Sequence, residues 1–340
     1  MRRPVFEGGG GSVASAIAGA GAICAAKATL FVLHRGARAG TLAAVPAQRV
    51  HDRPPMSAPP PTAPAPLADR SDAEFAFTGA DFERVRRLIH QRAGISLHEG
   101  KQAMVYGRLS RRLRETAHPS FASYLNWLEQ HAGAAGDGEW QEFVNCLTTN
   151  LTSFFREAHH FDLLAEQLRA RPGHAWRLWC AAASTGEEPY SIAMVCAEVL
   201  GAGQASVLAS DIDTRVLAAA QRGVYDAGAR GLDPQRLKRH FLRGAGANEG
   251  RVRVKPELAR TVQWRRFNLM EPTWSLGEPF DAVFCRNVMI YFDHPTQHRV
   301  LERLHRVMRP GAWLYVGHSE HFNDTRDLFR LRGKTVYERL

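Results

Sequence analysis

The chain has 340 residues, 45% of them hydrophobic, and a formal net charge of +10. This length is enough for two domains with cores of their own. The positive charge comes mainly from arginine, since only five of the 44 basic residues are lysine, and it favours an acidic partner without indicating its class. The five cysteines are scattered and form no C-x-x-C pair. This pattern argues against a disulfide framework or a zinc site and favours a reduced, cytoplasmic protein.

Residues 1–75 are predicted to form a low-complexity or disordered extension. Residues 13–33 are the hydrophobic stretch that raises the question of a membrane span, but Lys27 interrupts it and Ala and Gly dominate it. Residues 46–66 form a Pro/Ala tract without periodicity, which is typical of an extended linker. Met56 lies inside this tract and is an alternative start of translation. We therefore expect no stable membrane insertion.

Residues 76–150 are predicted to form a small all-α domain. Apolar residues recur at helical spacing over 82–93, Thr78 precedes them as a capping residue, and Gly94 ends the helix. Further helices are predicted over 101–116, 121–131 and 140–150. The first of these three carries a basic face on which Glu115 is the opposing charge, and this face is a candidate docking surface for an acidic partner. Its residues are Lys101, Arg108, Arg111, Arg112 and Arg114.

Residues 151–340 are predicted to form an α/β domain. The apolar strand 176–183 runs into a small-residue turn and a helix, and the strand 206–210 ends on Asp211 and Asp213. In doubly wound sheets this order of elements holds an adenosine ribose. The turn lacks G-x-G-x-x-G and carries Glu187, which favours a cationic, hydroxyl-rich ligand such as S-adenosylmethionine over a pyrophosphate. Asp213 is better placed to cap the next helix, which leaves Asp211 for the ribose, although the two roles could be exchanged.

The remainder of this domain predicts a mainly parallel sheet with an insert. Alternating residues over 251–255 and 261–267, after a Gly-rich turn, predict an antiparallel β-hairpin within about 224–267. A buried strand over 280–285 precedes a helix that Asp293 opens, a strand over 312–316 and a terminal strand. Arg286 and Asn287 directly follow a buried strand, at the sheet edge where ligands bind in such folds.

Five blocks of this sequence, in the right order from about residue 78 to the C-terminus, resemble the CheR family of chemotaxis receptor methyltransferases. The blocks are 150–157, 181–190, 209–213, 284–292, and 317–320 with 333–337. The resemblance implies a Rossmann-like, S-adenosylmethionine-dependent methyltransferase sheet with a small antiparallel β insert, preceded by a small all-α domain. It also implies transfer of methyl groups to glutamate side chains of chemotaxis receptors, which yields glutamyl methyl esters and S-adenosylhomocysteine.

The resemblance further implies roles for individual residues. Arg156 and Tyr291 are the candidate catalytic residues, although a surface role for Arg156 and a core role for Tyr291 are the simpler alternatives. The implied donor contacts are Asn150, Thr152, Arg156, Glu187, Asp211, Asn268, Leu269, Arg286 and Asn287. The implied substrate contacts are Lys101, Arg108, Arg111 and Arg112. A glutamate is already ionised at neutral pH, so the reaction requires positioning rather than a general base. No metal-ligand cluster stands out, since the adjacent pair His159 and His160 would point about 100° apart on a helix.

The expected partners are the cytoplasmic helices of methyl-accepting chemotaxis receptors, and whether the insert also holds a receptor's C-terminal peptide is left open. We expect a cytoplasmic monomer that binds no nucleic acid. Two other functions stay as alternatives. An RNA methyltransferase would suit the charge of +10, but the Asn-Pro-Pro-Tyr type of loop is replaced here by Arg286-Asn-Val-Met. A sensor that binds the donor without transferring methyl groups would keep the same pocket.

Overall fold

The computed structural model describes residues 6–7, 74–131, 137–201, 203–322 and 325–340. The described residues, 6–7 and those from 74 onward, belong to one compact unit. The second unit, residues 10–73, lies outside the described residues, and so do the predictions made for 13–33 and 46–66. Within the described ranges, no helix is long and apolar enough to cross a membrane.

The all-α domain contains four helices around one core. The helices are Gly79–Ala93 (α1), Gln102–Glu115 (α2), Phe121–Gln130 (α3) and Asp137–Leu147 (α4). The cap predicted at Thr78 is confirmed, because its hydroxyl accepts from the backbone of Asp81 while the Asp81 carboxylate accepts from the backbone of Thr78. Gly94 ends α1 in the left-handed region at φ 71°. Helix α4 ends at Leu147, three residues earlier than expected, which leaves 148–150 extended toward the sheet domain.

The C-terminal part alternates strands and helices, as predicted. Its helices are His159–Arg169 (α5), Glu187–Leu200 (α6), Thr214–Arg222 (α7), Pro234–His240 (α8), Pro256–Ala259 (α9) and His294–Val307 (α10). The strands among the described residues are Phe6–Glu7 (β1), Trp176–Cys180 (β2), Ala205–Asp211 (β3), Val224–Asp226 (β4), Phe241–Gly244 (β5), Arg251–Val254 (β6), Val262–Arg266 (β7), Phe280–Phe284 (β8), Met308–Tyr315 (β9), Phe329–Gly333 (β10) and Val336–Arg339 (β11).

The main sheet has seven strands in the order β10-β11-β9-β8-β2-β3-β7. The five strands from β9 to β7 are parallel, while β11 and β10 add an antiparallel edge. Because successive side chains of a strand point to opposite faces, the sheet contributes residues to two separate hydrophobic cores, one on each face. Leu178 and Cys180 pack with α5 and α6 on one face, and Trp179 packs with α10 on the other. The carboxyl ends of β2, β3 and β8 meet at one edge, where Cys180 is in register with Ala209 and Phe284.

A second, antiparallel sheet forms the predicted insert, in the order β1-β5-β6-β4. The prediction that 261–267 belongs to this insert is wrong, because β7 pairs parallel with β3 and closes the edge of the main sheet. The partners of β6 are instead β4 and β5, and the turn between β5 and β6 covers residues 245–250. Residues 6–7 pair antiparallel with 243–244 and add a short strand to the free edge of β5.

Candidate functional site

A cavity of about 340 Å³ lies between the all-α domain and the carboxyl edge of the main sheet. It is lined by the connection after α1, the segment 147–152, and the residues that follow β2, β3, β7 and β8. The fold therefore brings together most of the residues predicted from the sequence, which come from five separate parts of the chain. They are Lys101, Asn150, Thr152, Arg156, Asp211, Asn268, Leu269, Arg286, Asn287 and Tyr291. The predicted residues that do not line it are Glu187, Arg108, Arg111 and Arg112.

Asp211 and Asp213 take different positions at the end of β3. The Asp211 carboxylate accepts the backbone N–H groups of Ser184 (2.8 Å) and Asp213 (2.9 Å) and lines the cavity. Asp213 caps α7 by accepting the N–H groups of Arg215 and Val216, as predicted. It also accepts from the side chains of Thr148 and Asn150, at 2.7 and 2.8 Å. Burial raises the pKa of Asp211 to about 6, because the buried site disfavours the ionised carboxylate.

The two adjacent acids at the start of α6 also differ. Glu188 is buried, lines the cavity and accepts from Arg286 Nη1. Glu187 is turned toward the hydroxyl of Thr185, which donates to it at 2.6 Å. Glu187 was the predicted donor contact, and Glu188 was not predicted. Consecutive residues of a helix point about 100° apart, so only one of the two neighbouring acids faces the cavity, but this spacing does not indicate which one.

Arg156 lies in a loop, residues 154–157, that joins the all-α domain to α5. Its Nη1 donates to the carbonyl oxygen of Leu151 at 2.9 Å, and its own carbonyl oxygen accepts from Arg286 Nη2 at 2.6 Å. The Arg286 guanidinium is buried and pairs with Glu157 at 3.2 Å as well as with Glu188. Arg286 thus lines the cavity with both Nη groups engaged by protein groups.

Asn268 and Leu269 follow β7 and connect the sheet to the all-α domain. Asn268 Nδ2 donates to the carbonyl oxygen of Arg92 at 2.7 Å, and its Oδ1 accepts from the backbone of Met270 at 2.9 Å. Leu269 is buried, so it offers the cavity an apolar surface. Asn150 in turn presents its backbone oxygen to the hydroxyl of Ser184, at 3.0 Å. These contacts fix the walls of the cavity.

A buried acid, Glu320, shapes the remaining wall and was not predicted as a site residue. Its carboxylate accepts the backbone N–H groups of Asn287, Met289, Ile290 and Gly317. Asn287 adopts φ 57°, so its backbone is held in the left-handed region that few side chains favour. Tyr291 is partly buried between the hydrophobic core on the α10 face of the main sheet and the core of the all-α domain. Its carbonyl oxygen accepts a hydrogen bond from the backbone N–H of Ser96. The turn 317–320 was recognised in the sequence, but nothing local indicated where Glu320 points.

The basic face of α2 is less available than predicted. Arg112 is mostly buried and pairs with Glu115 and Glu139, and Arg108 donates to the carbonyl oxygens of Cys146 and Thr148. The expectation that Glu115 alone opposes this face is therefore wrong, because Glu139 and Glu74 also pair with it. Arg111 remains 73% exposed beside Glu115, and Lys101 lines the cavity.

The cavity fits a donor of the S-adenosylmethionine type. Its volume is within the range of small-molecule sites, and it combines an apolar lining with the two buried carboxylates Asp211 and Glu188. Carboxylates in such a position can accept hydroxyl donors and balance a sulfonium or ammonium charge. Within the described part of the chain, no three His, Cys, Asp or Glu side chains come together in a way that could hold a metal ion.

Comparison with known proteins agrees with this architecture. Residues 80–148 match the family "CheR methyltransferase, all-alpha domain", and residues 150–338 match "CheR methyltransferase, SAM binding domain". A "Chemotaxis protein methyltransferase" of Escherichia coli (strain K12) is 52% identical over 268 residues, which cover 77% of this chain and 92% of that protein. "Chemotaxis protein methyltransferase 2" of Pseudomonas aeruginosa is 48% identical over 283 residues, which cover 82% of this chain and 99% of that protein.

The boundary between the two family matches lies in the segment that leads from α4 into the Arg156 loop. The resemblance inferred from the sequence motifs is confirmed, and the fold class is confirmed with it. S-adenosylmethionine is the methyl donor that the matched sheet domain binds. The chain belongs to the CheR methyltransferase family and is an S-adenosylmethionine-dependent methyltransferase.

Proposed function

We propose that this enzyme methylates glutamate side chains of chemotaxis receptors and forms glutamyl methyl esters. The observation that carries the proposal is the composition of the cavity lining, which includes the carboxylates of Asp211 and Glu188 together with Arg156, Lys101 and Tyr291. An anionic substrate requires cationic and hydroxyl groups near the transfer point, and a cationic donor requires acids. The names of the relatives from Escherichia coli and Pseudomonas aeruginosa support chemotaxis proteins as the substrate class.

The donor is proposed to lie against the carboxyl ends of β2 and β3. Asp211 is the proposed acceptor for the ribose hydroxyls, with Asn268 and Leu269 beside the adenine. Asn150, Thr152, Glu187, Arg286 and Asn287 complete the proposed set of donor contacts. When bound, the donor supplies a methyl group on a sulfonium, which is activated for displacement without a metal or a base.

Arg156 and Tyr291 are the proposed catalytic residues. The planar fork of Arg156 can hold a glutamate carboxylate by two parallel hydrogen bonds, and the Tyr291 hydroxyl can donate a third. A glutamate oxygen then forms the bond to the methyl carbon as the carbon–sulfur bond breaks. Because the glutamate is ionised at neutral pH, no side chain has to accept a proton. The contribution of the protein is alignment and exclusion of water.

The receptor is proposed to approach at the mouth of the cavity. Leu151 is 80% exposed and Ile290 is 50% exposed, and both line the cavity together with Lys101. Large apolar side chains exposed beside a charged group are typical of a contact surface. Lys101 and Arg111 remain available for acidic residues on a receptor helix, whereas Arg108 and Arg112 take part mainly in internal contacts.

Strand addition of a receptor's C-terminal peptide to the insert is a further part of this proposal. The edge of β5 can pair with an extended segment, as its pairing with residues 6–7 illustrates, and a receptor peptide bound there would have to replace those two residues. We also propose that the enzyme is a cytoplasmic monomer. The two alternative functions are not favoured, because neither an RNA substrate nor loss of transfer is suggested by the relatives.

The test is transfer of label from methyl-labelled S-adenosylmethionine to receptor-containing membranes. Base-labile label in the receptor is the expected result, because carboxyl methyl esters hydrolyse in mild alkali. Replacement of the receptor's methylated glutamates by alanine is the control and should abolish labelling. Label in RNA, or donor binding without any transfer, would overturn the proposal.

A further inference from the structure

The loop that carries Arg156 has a strained backbone. Phe155 has φ 49° and Glu157 has φ 58°, so the residues on both sides of Arg156 lie in the left-handed region. Side chains with a Cβ rarely adopt this conformation, and two such residues in one short loop persist only where the surroundings determine them. Strain of this kind at a cavity wall raises the question of what holds the loop.

Two contacts fix the loop at its start. The backbone N–H of Phe155 donates to the hydroxyl of Ser191 on α6 at 3.0 Å. Gly231 packs so closely that a Cβ there would lie 1.9 Å from the carbonyl oxygen of Phe154. Phe154 itself is buried, with its ring 4.9 Å from that of Tyr225 in the insert. Phe154 and Phe155 therefore have little freedom to move.

Arg286 fixes the loop at its end. One nitrogen of its guanidinium, Nη2, donates to the carbonyl oxygen of Arg156 and lies 3.2 Å from Glu157 Oε2. The other, Nη1, donates to Glu188 at the start of α6. The remaining donor, Nε, is buried and has no hydrogen-bond partner among the described residues. A single buried cation thus joins β8, α6 and the strained loop.

Glu157 completes the arrangement on the outer side. Its Oε1 lies 3.3 Å from Nδ1 of His318, which is exposed. Burial alone would raise the pKa of Glu157, but the charge and hydrogen bonding of Arg286, aided by His318, outweigh it and lower the pKa to about 2. Glu157 is therefore ionised at neutral pH and can pair with the Arg286 guanidinium as an anion.

We propose that Arg286 is a positioning residue that acts through Arg156, by holding the carbonyl oxygen of Arg156 and the carboxylate of Glu157 that follows it, and that direct contact with the methyl donor is not its main role. The inference rests on the proposed function of Arg156 in orienting the substrate carboxylate. A guanidinium has the planar, multi-donor geometry that can serve a carbonyl oxygen and two carboxylates at once. A lysine has one ammonium group and cannot hold all three.

The test compares donor affinity with turnover in Arg286→Lys. We expect kcat with receptor to fall by about tenfold or more, whereas the affinity for S-adenosylhomocysteine changes by less than about threefold. Amide hydrogen exchange should become faster at Phe155 and its neighbours without a change elsewhere in the sheet domain. The matched control is Arg84→Lys. Arg84 donates to Asn126 and pairs with Glu129 in the all-α domain, away from the cavity.

A double variant separates action through Arg156 from independent action. If Arg286 acts through Arg156, Arg156→Lys combined with Arg286→Lys should be no slower than Arg156→Lys alone. Multiplicative losses, or a donor affinity that falls as much as turnover, would overturn the inference and make contact with the donor the main role of Arg286. If Arg286→Lys does not fold, Glu157→Gln removes one anchor at constant volume and should show the same split with a smaller loss. If the wild-type enzyme did not methylate receptors, the proposed function would be contradicted instead. Amide hydrogen exchange at Phe155 would still test whether Arg286 holds the loop.

Discussion

The carboxyl of Asp211 should make donor binding depend on pH. Its pKa is raised to about 6 by burial, although the backbone N–H groups of Asp213 and Ser184 favour the ionised form and the charge of Asp213 opposes it. If the ionised carboxylate accepts the ribose hydroxyls, affinity for S-adenosylhomocysteine should fall as the pH is lowered through 6, toward about tenfold per pH unit well below it. Calorimetric titrations between pH 4.5 and 8 measure this dependence. In Asp211→Asn the affinity should be weaker and flat across the same range, and a flat wild-type curve would contradict the assignment.

The same group should change the stability of the ligand-free protein in a defined direction. Its folded pKa of about 6 lies above the ordinary value of 3.8, so between these values the native state holds a proton that the unfolded chain has released. The contribution of Asp211 to the free energy of unfolding is therefore largest below pH 4 and is lost as the pH rises through 6. Denaturant unfolding of wild type and Asp211→Asn at pH 4 and pH 7 isolates this contribution, since the other titrating groups are common to both. If the free energy of unfolding of the wild type rose with pH relative to that of Asp211→Asn, the predicted direction would be contradicted.

Glu187 and Glu188 should differ when each is replaced by glutamine. Glu187→Gln is expected to weaken donor binding by about 1–3 kcal/mol, as for a lost charge-assisted hydrogen bond, and to leave the melting temperature unchanged. Glu188→Gln is expected to lower the melting temperature, because it removes one of the two carboxylates that balance the buried Arg286. Calorimetry and thermal melting of both variants separate the two roles. If Glu187→Gln bound the donor normally, the proposed contact would pass to Glu188, which lines the cavity.

At the scale of elements, local signals predicted the ends of helices better than the partners of strands. The caps at Thr78, Asp213 and Asp293 are all present, because a cap depends on residues within one turn. The strand β7 was assigned to the wrong sheet, because alternation of side chains is the same whichever neighbour a strand pairs with. The partner of a strand is set by contacts far along the chain.

The candidate site shows the same limit. Asp211 and Asn287 could be found from the sequence because both follow a buried strand, and parallel strands bring their carboxyl ends together. Glu320 and Glu188 could not, since their roles depend on which way a turn or a helix faces. Arg108 and Arg112 were counted as free cations, but their partners lie about 30 to 40 residues away, on and just after α4. The resemblance to a family supplied what local patterns did not, namely the identity of the donor and the substrate.

The exposed part of α2 should contribute to receptor docking. Arg111→Glu is expected to leave donor affinity unchanged and to slow receptor methylation by about three- to tenfold at low salt, because it reverses a charge that remains exposed. Wild-type turnover should fall as salt rises, and that of the variant should fall less. The control is Arg87→Glu on α1, which reverses an arginine of similar exposure outside this face. Equal effects of the two substitutions would indicate a general charge effect rather than docking through α2.

At the scale of the whole molecule, the all-α domain forms one wall of the cavity and is held against the sheet domain by polar contacts. Gln141 donates to the carbonyl oxygen of Ile212 at 2.7 Å, and His90 lies 2.9 Å from Asp293. The backbone of Ser96 donates to that of Tyr291, and Ile95 bridges to Phe292. Tyr291 therefore occupies the boundary between the two domains. The position of this candidate catalytic residue depends on their docking.

Removal of the first 55 residues should leave the enzyme intact. Of this segment, the structure describes residues 6–7, which add two residue pairs to the free edge of β5, and so short a pairing contributes little to stability. A chain that begins at Met56 is therefore expected to melt within about 2 °C of the full-length protein and to methylate receptors at the same rate. Thermal melting and the labelled-donor assay measure these two quantities, with membrane flotation of both chains as a third. A melting temperature lower by several degrees would show that the N-terminal residues are part of the fold. If the full-length chain floated with membranes and the shortened chain did not, the segment 13–33 would be an anchor, in spite of Lys27, and the proposed cytoplasmic location would have to be replaced by one at the membrane.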